Sequence, residues 1–98
     1  MIPEMDGEYP AASTLRKIKK WPFNSRQDLY DLSDYVAAAW HWPDFWKKKG
    51  RRIVAHTGGW SGNEDIIAAL DSTTWWFLCW QSSKRGGNYV FLLPGRKL

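Results

Sequence analysis

The chain has 98 residues, eight of them tryptophan, a single cysteine and a net charge of +4. That length fits one domain. The lone Cys79 excludes an internal disulfide, and the longest apolar run, Trp75 to Trp80, is too short to cross a bilayer.

Residues 1–12 carry Glu4, Asp6 and Glu8 among Pro3, Gly7 and Pro10. They read as a flexible N-terminal arm rather than a signal peptide, because they contain no apolar run. Residues 13–98 read as a single α+β domain. A helix starts at Ser13 or Thr14, either of which can cap it, with Leu15 and Ile18 on one face and lysines on the other. Pro22 stops it. A second helix follows Ser25, whose spacing to Asp28 matches a capping box. Leu29, Leu32, Val36 and Trp40 then form one apolar stripe, and Pro43 ends the helix.

Trp40 to Trp46 is an aromatic corner leading into the basic run Lys47 to Arg52, with Gly50 as a turn. Arg51 to Thr57 alternates as a first strand, broken by Gly58 and Gly59. Ser61 and Glu64 have capping-box spacing and open a third helix on Ile66, Ile67 and Leu70. Thr74 to Gln81 is apolar on both faces and reads as a central strand. Ser83 to Gly87 reads as a hairpin loop, and Asn88 to Leu93 as the last strand. The expected order is α-α-β-α-β-β, with a three-stranded, mostly antiparallel sheet packed against helices around a tryptophan-rich core.

Two surfaces could carry function. Gly58, Gly59, Trp60, Ser61, Gly62 and Asn63 lie between a strand and a helix start, where free backbone N–H groups suit a phosphate or carboxylate. The competing reading is a tight turn with Trp60 plugged into the core. The second surface joins the rings of Trp42 and Trp46 to Lys47, Lys48, Lys49, Arg51 and Arg52, with Lys84 and Arg85 from the hairpin. Rings beside cations suit nucleic acid or a protein interface. Trp40 and Trp60 are expected in the core, and Trp42 and Trp46 on the surface. Further cations cluster at Arg16, Lys17, Lys19 and Lys20, and at Arg96 and Lys97. No catalytic set, metal site or cofactor motif is expected. Cys79 lies between Leu78 and Trp80 and reads as a buried hydrophobe rather than a nucleophile paired with His56. His41 has no partner at metal-ligand spacing.

Thr57-Gly58-Gly59-Trp60-Ser61-Gly62-Asn63-Glu64-Asp65-Ile66-Ile67, with Cys79-Trp80-Gln81-Ser82-Ser83-Lys84-Arg85-Gly86-Gly87-Asn88-Tyr89-Val90-Phe91 downstream and Trp40-His41-Trp42-Pro43-Asp44 upstream, resembles a pattern in small uncharacterised bacteriophage and prophage proteins. The resemblance spans residues 14–93 and implies a phage setting. By analogy with other small accessory phage proteins, it implies a non-enzymatic protein in the host cytoplasm. Such a protein would bind and inhibit a host protein or nucleoprotein complex, as anti-CRISPR-like proteins do. The alternatives are a nucleotide or anion binder and a direct nucleic-acid binder. The sequence indicates no membrane partner and leaves the oligomeric state open.

Overall fold

The computed structural model describes residues 2–95. In chain order its elements are β1 (Met5–Asp6), β2 (Tyr9–Pro10), α1 (Ala12–Lys19), α2 (Arg26–Ala39), a 3-10 turn (Pro43–Phe45), β3 (Trp46–Lys49), β4 (Arg52–His56), α3 (Ser61–Asp71), α4 (Thr74–Cys79), β5 (Trp80–Lys84) and β6 (Asn88–Leu92). The α+β class and the tryptophan-rich core are as expected. The sheet differs: it has four strands in the order β3-β4-β6-β5, all neighbours antiparallel, beside a separate two-stranded ribbon of β1 and β2.

The extra strand is the basic run itself. Lys47, Lys48 and Lys49 pair with Val54, Ile53 and Arg52 across a turn at Gly50 and Arg51. Three lysines in a row lack the apolar alternation that marks a strand, yet an edge strand tolerates charge and is protected by it.

The second difference is Thr74 to Gln81. It is not a central strand. Thr74 to Cys79 is helical, and only Trp80 onward is extended, as the edge strand β5. The Thr73 side chain accepts the Trp76 backbone N–H at 3.3 Å and caps α4. Trp75 and Cys79, four apart, are fully buried, and this turns Phe77 and Leu78 outward.

Helix starts differ as well. α1 begins at Ala12 with no side-chain cap, because the Thr14 hydroxyl donates instead to the Glu4 carbonyl at 2.6 Å and ties down the ribbon. α3 begins after Trp60 with no side-chain cap, so Ser61 is its first residue rather than its cap. At α2 the expected contact forms: the Asp28 carboxylate accepts the Ser25 N–H at 3.0 Å and the Asn24 N–H at 2.7 Å.

One face of the sheet carries Trp46, Ile53, Ala55 and Phe91, all buried under the helices. Rings link the layers. Trp46 lies 5.0 Å from Trp40 and 6.5 Å from Trp75, and Trp75 lies 4.8 Å from Phe91. A buried indole N–H requires a partner. Trp75 Nε1 donates to the Leu29 carbonyl at 3.0 Å, and Trp40 Nε1 donates to the His56 carbonyl at 3.2 Å. Among the described residues, Trp46 Nε1, Trp60 Nε1 and Ser33 Oγ are buried without a partner. No helix of the described residues is long and apolar enough to cross a membrane.

Candidate cationic sheet face

An antiparallel sheet can leave one face to solvent. Here the register places Lys47, Lys49, Arg52, Val54, His56, Asn88, Val90, Leu92, Ser82 and Lys84 on the face away from Trp46 and Phe91. Valines and Leu92 form its half-buried centre, and Lys47, Lys49, Arg52 and Lys84 are exposed around it. None of the ten acidic residues lies in the four strands, whose sequences are WKKK, RIVAH, WQSSK and NYVFL. The four strands therefore carry cations and no acids, whereas the acids lie on the helices, in and beside the ribbon and in the 3-10 turn, where further cations accompany them on α1 and α2. Val54, His56, Ser82, Lys84, Asn88, Tyr89 and Val90 line a depression of about 310 Å³ on this surface. Within it, His56 Nδ1 bonds the Asn88 side-chain oxygen.

The structure gathers part of the expected cationic surface and divides the rest. Lys47, Lys49, Arg52 and Lys84 share the open face. Lys48 points to the other side, its ammonium 5.4 Å from the Tyr30 ring. Arg51 sits in the β3–β4 turn, where its guanidinium donates to the Leu93 carbonyl at 3.4 Å. Arg85 is exposed in the β5–β6 turn. Trp46, expected on the surface, is buried at 6% exposure, because strand alternation from Ala55 across the pair points it into the core. Arg96 and Lys97 lie outside the described residues. The open-face residues Val54, His56, Val90 and Asn88 went unrecognised from sequence. The alternation Arg52-Val54-His56 was the available signal, but it does not say which face stays open.

Trp42 is exposed, at 42%, and Phe45 beside it at 37%. Their ring centroids lie 5.4 Å apart. With Pro43, Asp44 and Gly58 they line an open pocket of about 430 Å³. Phe45 meets His56 edge-on at 6.1 Å, which joins this pocket to the end of the open face. Trp42 has φ +61, the one positive φ at a non-glycine among the described residues. For an L-residue that conformation costs about 1–2 kcal/mol. The Phe45 N–H donating to the Trp42 carbonyl at 2.8 Å holds the bend, and His41 and Trp60 pack on the indole at 4.4 and 6.1 Å. Gly58 is required beneath: a Cβ there would lie 2.6 Å from the Trp42 ring and 2.8 Å from the Phe45 ring.

The strand-to-helix loop is largely committed to packing. Asn63 is buried, accepts the His41 N–H at 2.8 Å and donates to the His41 and Thr57 carbonyls at 3.0 and 3.2 Å. Gly62 is buried against Trp60 and Pro10. Trp60 is half-buried, stacked between Tyr9 at 4.7 Å and His41 at 4.6 Å. Gly58, Gly59 and Ser61 are exposed. Burial pushes the Cys79 thiol up to about 12, so it is protonated at neutral pH. Among the described residues no group of three or more His, Cys, Asp or Glu side chains is placed to hold a metal ion. The chain matches no known family profile, no curated protein and no solved structure.

Proposed function

We propose that this chain is a non-catalytic binding protein whose open sheet face docks on nucleic acid, either free or as the exposed strand of a host nucleoprotein complex. One observation carries the reading: Lys47, Lys49, Arg52 and Lys84 share a solvent-facing surface whose strands contain no carboxylate. Clustered cations without interspersed acids attract a polyanion, and binding releases its condensed counterions. The exposed Trp42 and Phe45 at the end of that face supply the stacking surface that single strands use. The phage-type setting implied by the resemblance fits a small protein that obstructs a host complex by occupying its nucleic acid. The alternative of an anion held by the backbone from Gly58 to Asn63 has less support, since Gly62 and Asn63 are buried and Asn63 is fully engaged.

The test is binding of a fluorescent single-stranded oligonucleotide followed by anisotropy across a salt series. Four phosphate contacts predict a log–log slope of about −3. Replacing Lys47 and Arg52 together by Glu should abolish binding at moderate salt while the fold, checked by circular dichroism, stays intact. Absence of binding at low salt would sink the reading.

A further inference from the structure

The geometry points to the Trp42–Phe45 pocket as a receptor for one unstacked guanine base of a single strand whose backbone lies along Lys47 and Lys49. This rests on the nucleic-acid reading above and adds a base preference to it. Three independent features converge on the pocket.

The first is preorganisation. An exposed indole held at positive φ, packed by His41 and Trp60 and seated on a glycine, is fixed before any ligand arrives. Strained backbone that surrounding contacts maintain is a feature of ligand sites. A ring already fixed loses little entropy on stacking.

The second is polarity. Asp44 is the one charged residue in the pocket lining, and the strand that follows it in the chain carries the cations Lys47 and Lys49 on the open face. A carboxylate in the pocket repels phosphate, so the anionic part of a ligand belongs on the lysines and a neutral, donor-bearing part belongs against the rings. A nucleotide has that division. A carboxylate only accepts hydrogen bonds. Guanine alone among the standard bases offers two adjacent N–H donors on its Watson–Crick edge, at N1 and N2, and so can engage both carboxylate oxygens. Adenine and cytosine offer one amino group, and uracil and thymine one imide N–H.

The third is spacing. Lys47 and Lys49 alternate onto the open side of β3, about 6.8 Å apart, which is on the scale of one nucleotide step in an extended backbone, and Phe45 ends the 3-10 turn that leads directly into that strand. A base in the pocket would leave its flanking phosphates at the two lysines. A duplex cannot present this arrangement, because its bases are stacked and their Watson–Crick edges are paired.

The test uses the intact protein and a set of oligothymidines that carry at the centre one guanine, adenine, cytosine or abasic site, with a duplex of the guanine strand. The expected result is binding of the guanine strand about tenfold tighter than the abasic strand and about tenfold tighter than the adenine strand. The duplex should bind more weakly than any single strand. Asp44→Asn, at an exposed position, should fold normally and reduce the preference for guanine over adenine to less than twofold, with little change in the salt slope. Trp42→Ala should bring the guanine strand to the abasic affinity. Equal affinity for all central bases, with the salt slope retained, would overturn the pocket assignment and leave the cationic face standing. Loss of every oligonucleotide would remove both. An acidic peptide with a central arginine is the competitor: if it displaces the guanine strand stoichiometrically through Asp44, the pocket holds a guanidinium and the base assignment fails.

Discussion

Trp42 and Phe45 reach solvent at the end of a cationic sheet face, and Phe77, Leu78 and Trp80 reach it along α4 and the start of β5. The two groups have similar composition and different physical origins. Trp42 is exposed against a local penalty: its backbone is strained, and three neighbouring rings, with Gly58 beneath, hold the indole in place. Phe77 and Leu78 are exposed by default. α4 is six residues long, and with Trp75 and Cys79 buried and Trp76 packed against Tyr89 and Phe91, Phe77 and Leu78 are left facing outward. An exposed aromatic that strained backbone and packed rings hold in place is thus physically different from one that is only the reverse side of a core residue, and the proposed site rests on the first kind.

The largest expected effect tests the second half of that contrast. Trp75 is fully buried, packs at a tilt against Phe91 and donates to the Leu29 carbonyl. Trp75→Ala should cost about 3–5 kcal/mol in urea unfolding, a large share of what a domain of this size possesses. Phe77→Ala, two residues on and 85% exposed, should move the midpoint hardly at all. Comparable losses for the two would mean that Phe77 is covered in solution.

A smaller effect probes the other region. Gly58→Ala meets both a left-handed φ of +64 and the rings of Trp42 and Phe45, whereas Gly59→Ala meets a φ of +73 with nothing within 4 Å. Both should lose about 1–2 kcal/mol for the backbone conformation. Only Gly58→Ala should also change the near-ultraviolet circular dichroism and weaken oligonucleotide binding, because only there must the rings move. Identical spectra for the two variants would show that the rings are not seated on Gly58.

These two regions differ in how far the sequence reveals them. The α2 stripe of Leu29, Leu32 and Val36 and the strand at Ile53 and Ala55 were legible, because each repeats its period over enough residues to distinguish 3.6 from 2. The helix from Thr74 to Cys79 was not: six apolar residues fit a buried strand as well as a short helix, and the deciding contact is the tertiary seat of Trp75. β3 was hidden because Lys47 to Lys49 show no apolar alternation, and their pairing is dictated by β4 and the turn at Gly50. The cations of the candidate site were visible as a cluster, but their division was not, since Lys48 turns to Tyr30 only once the register is set. Trp42 and Trp46 look alike in sequence. One ends up strained and exposed, the other at 6% exposure inside the aromatic core.

The inner side of α4 provides a pH test. Burial raises the Cys79 thiol from about 9 to about 12, so the native state keeps its proton after the unfolded chain has lost its own. The contribution is full below about pH 9 and is lost as the pH rises toward about 12. At pH 10 the loss is on the order of 1 kcal/mol. Cys79→Ala lacks this group, so the stability advantage of the parent chain over the variant should shrink by about that amount between pH 8 and pH 10. The thiol should also resist alkylation at pH 8 except through unfolding. Rapid labelling under native conditions, or a difference that does not change with pH, would mean that the side of α4 facing the core is open to water.

The smallest expected effect bears most directly on whether the outer side of α4 has any role in binding. Phe77→Ser combined with Leu78→Gln removes two apolar side chains that are 85% and 50% exposed. Exposed substitutions away from caps and cores usually change stability by no more than about 0.5 kcal/mol, so unfolding should be almost unaltered. Oligonucleotide affinity and its salt slope should be unchanged too, because Phe77 and Leu78 lie outside the open-face register that carries Lys47, Lys49, Arg52 and Lys84. A change should appear only in colloidal behaviour, as higher solubility, since exposed apolar groups promote association. If the double variant instead weakened binding of the guanine strand as Trp42→Ala is expected to, exposure by default would be as functional as exposure under strain. Backbone strain at Trp42 would then no longer distinguish the two regions.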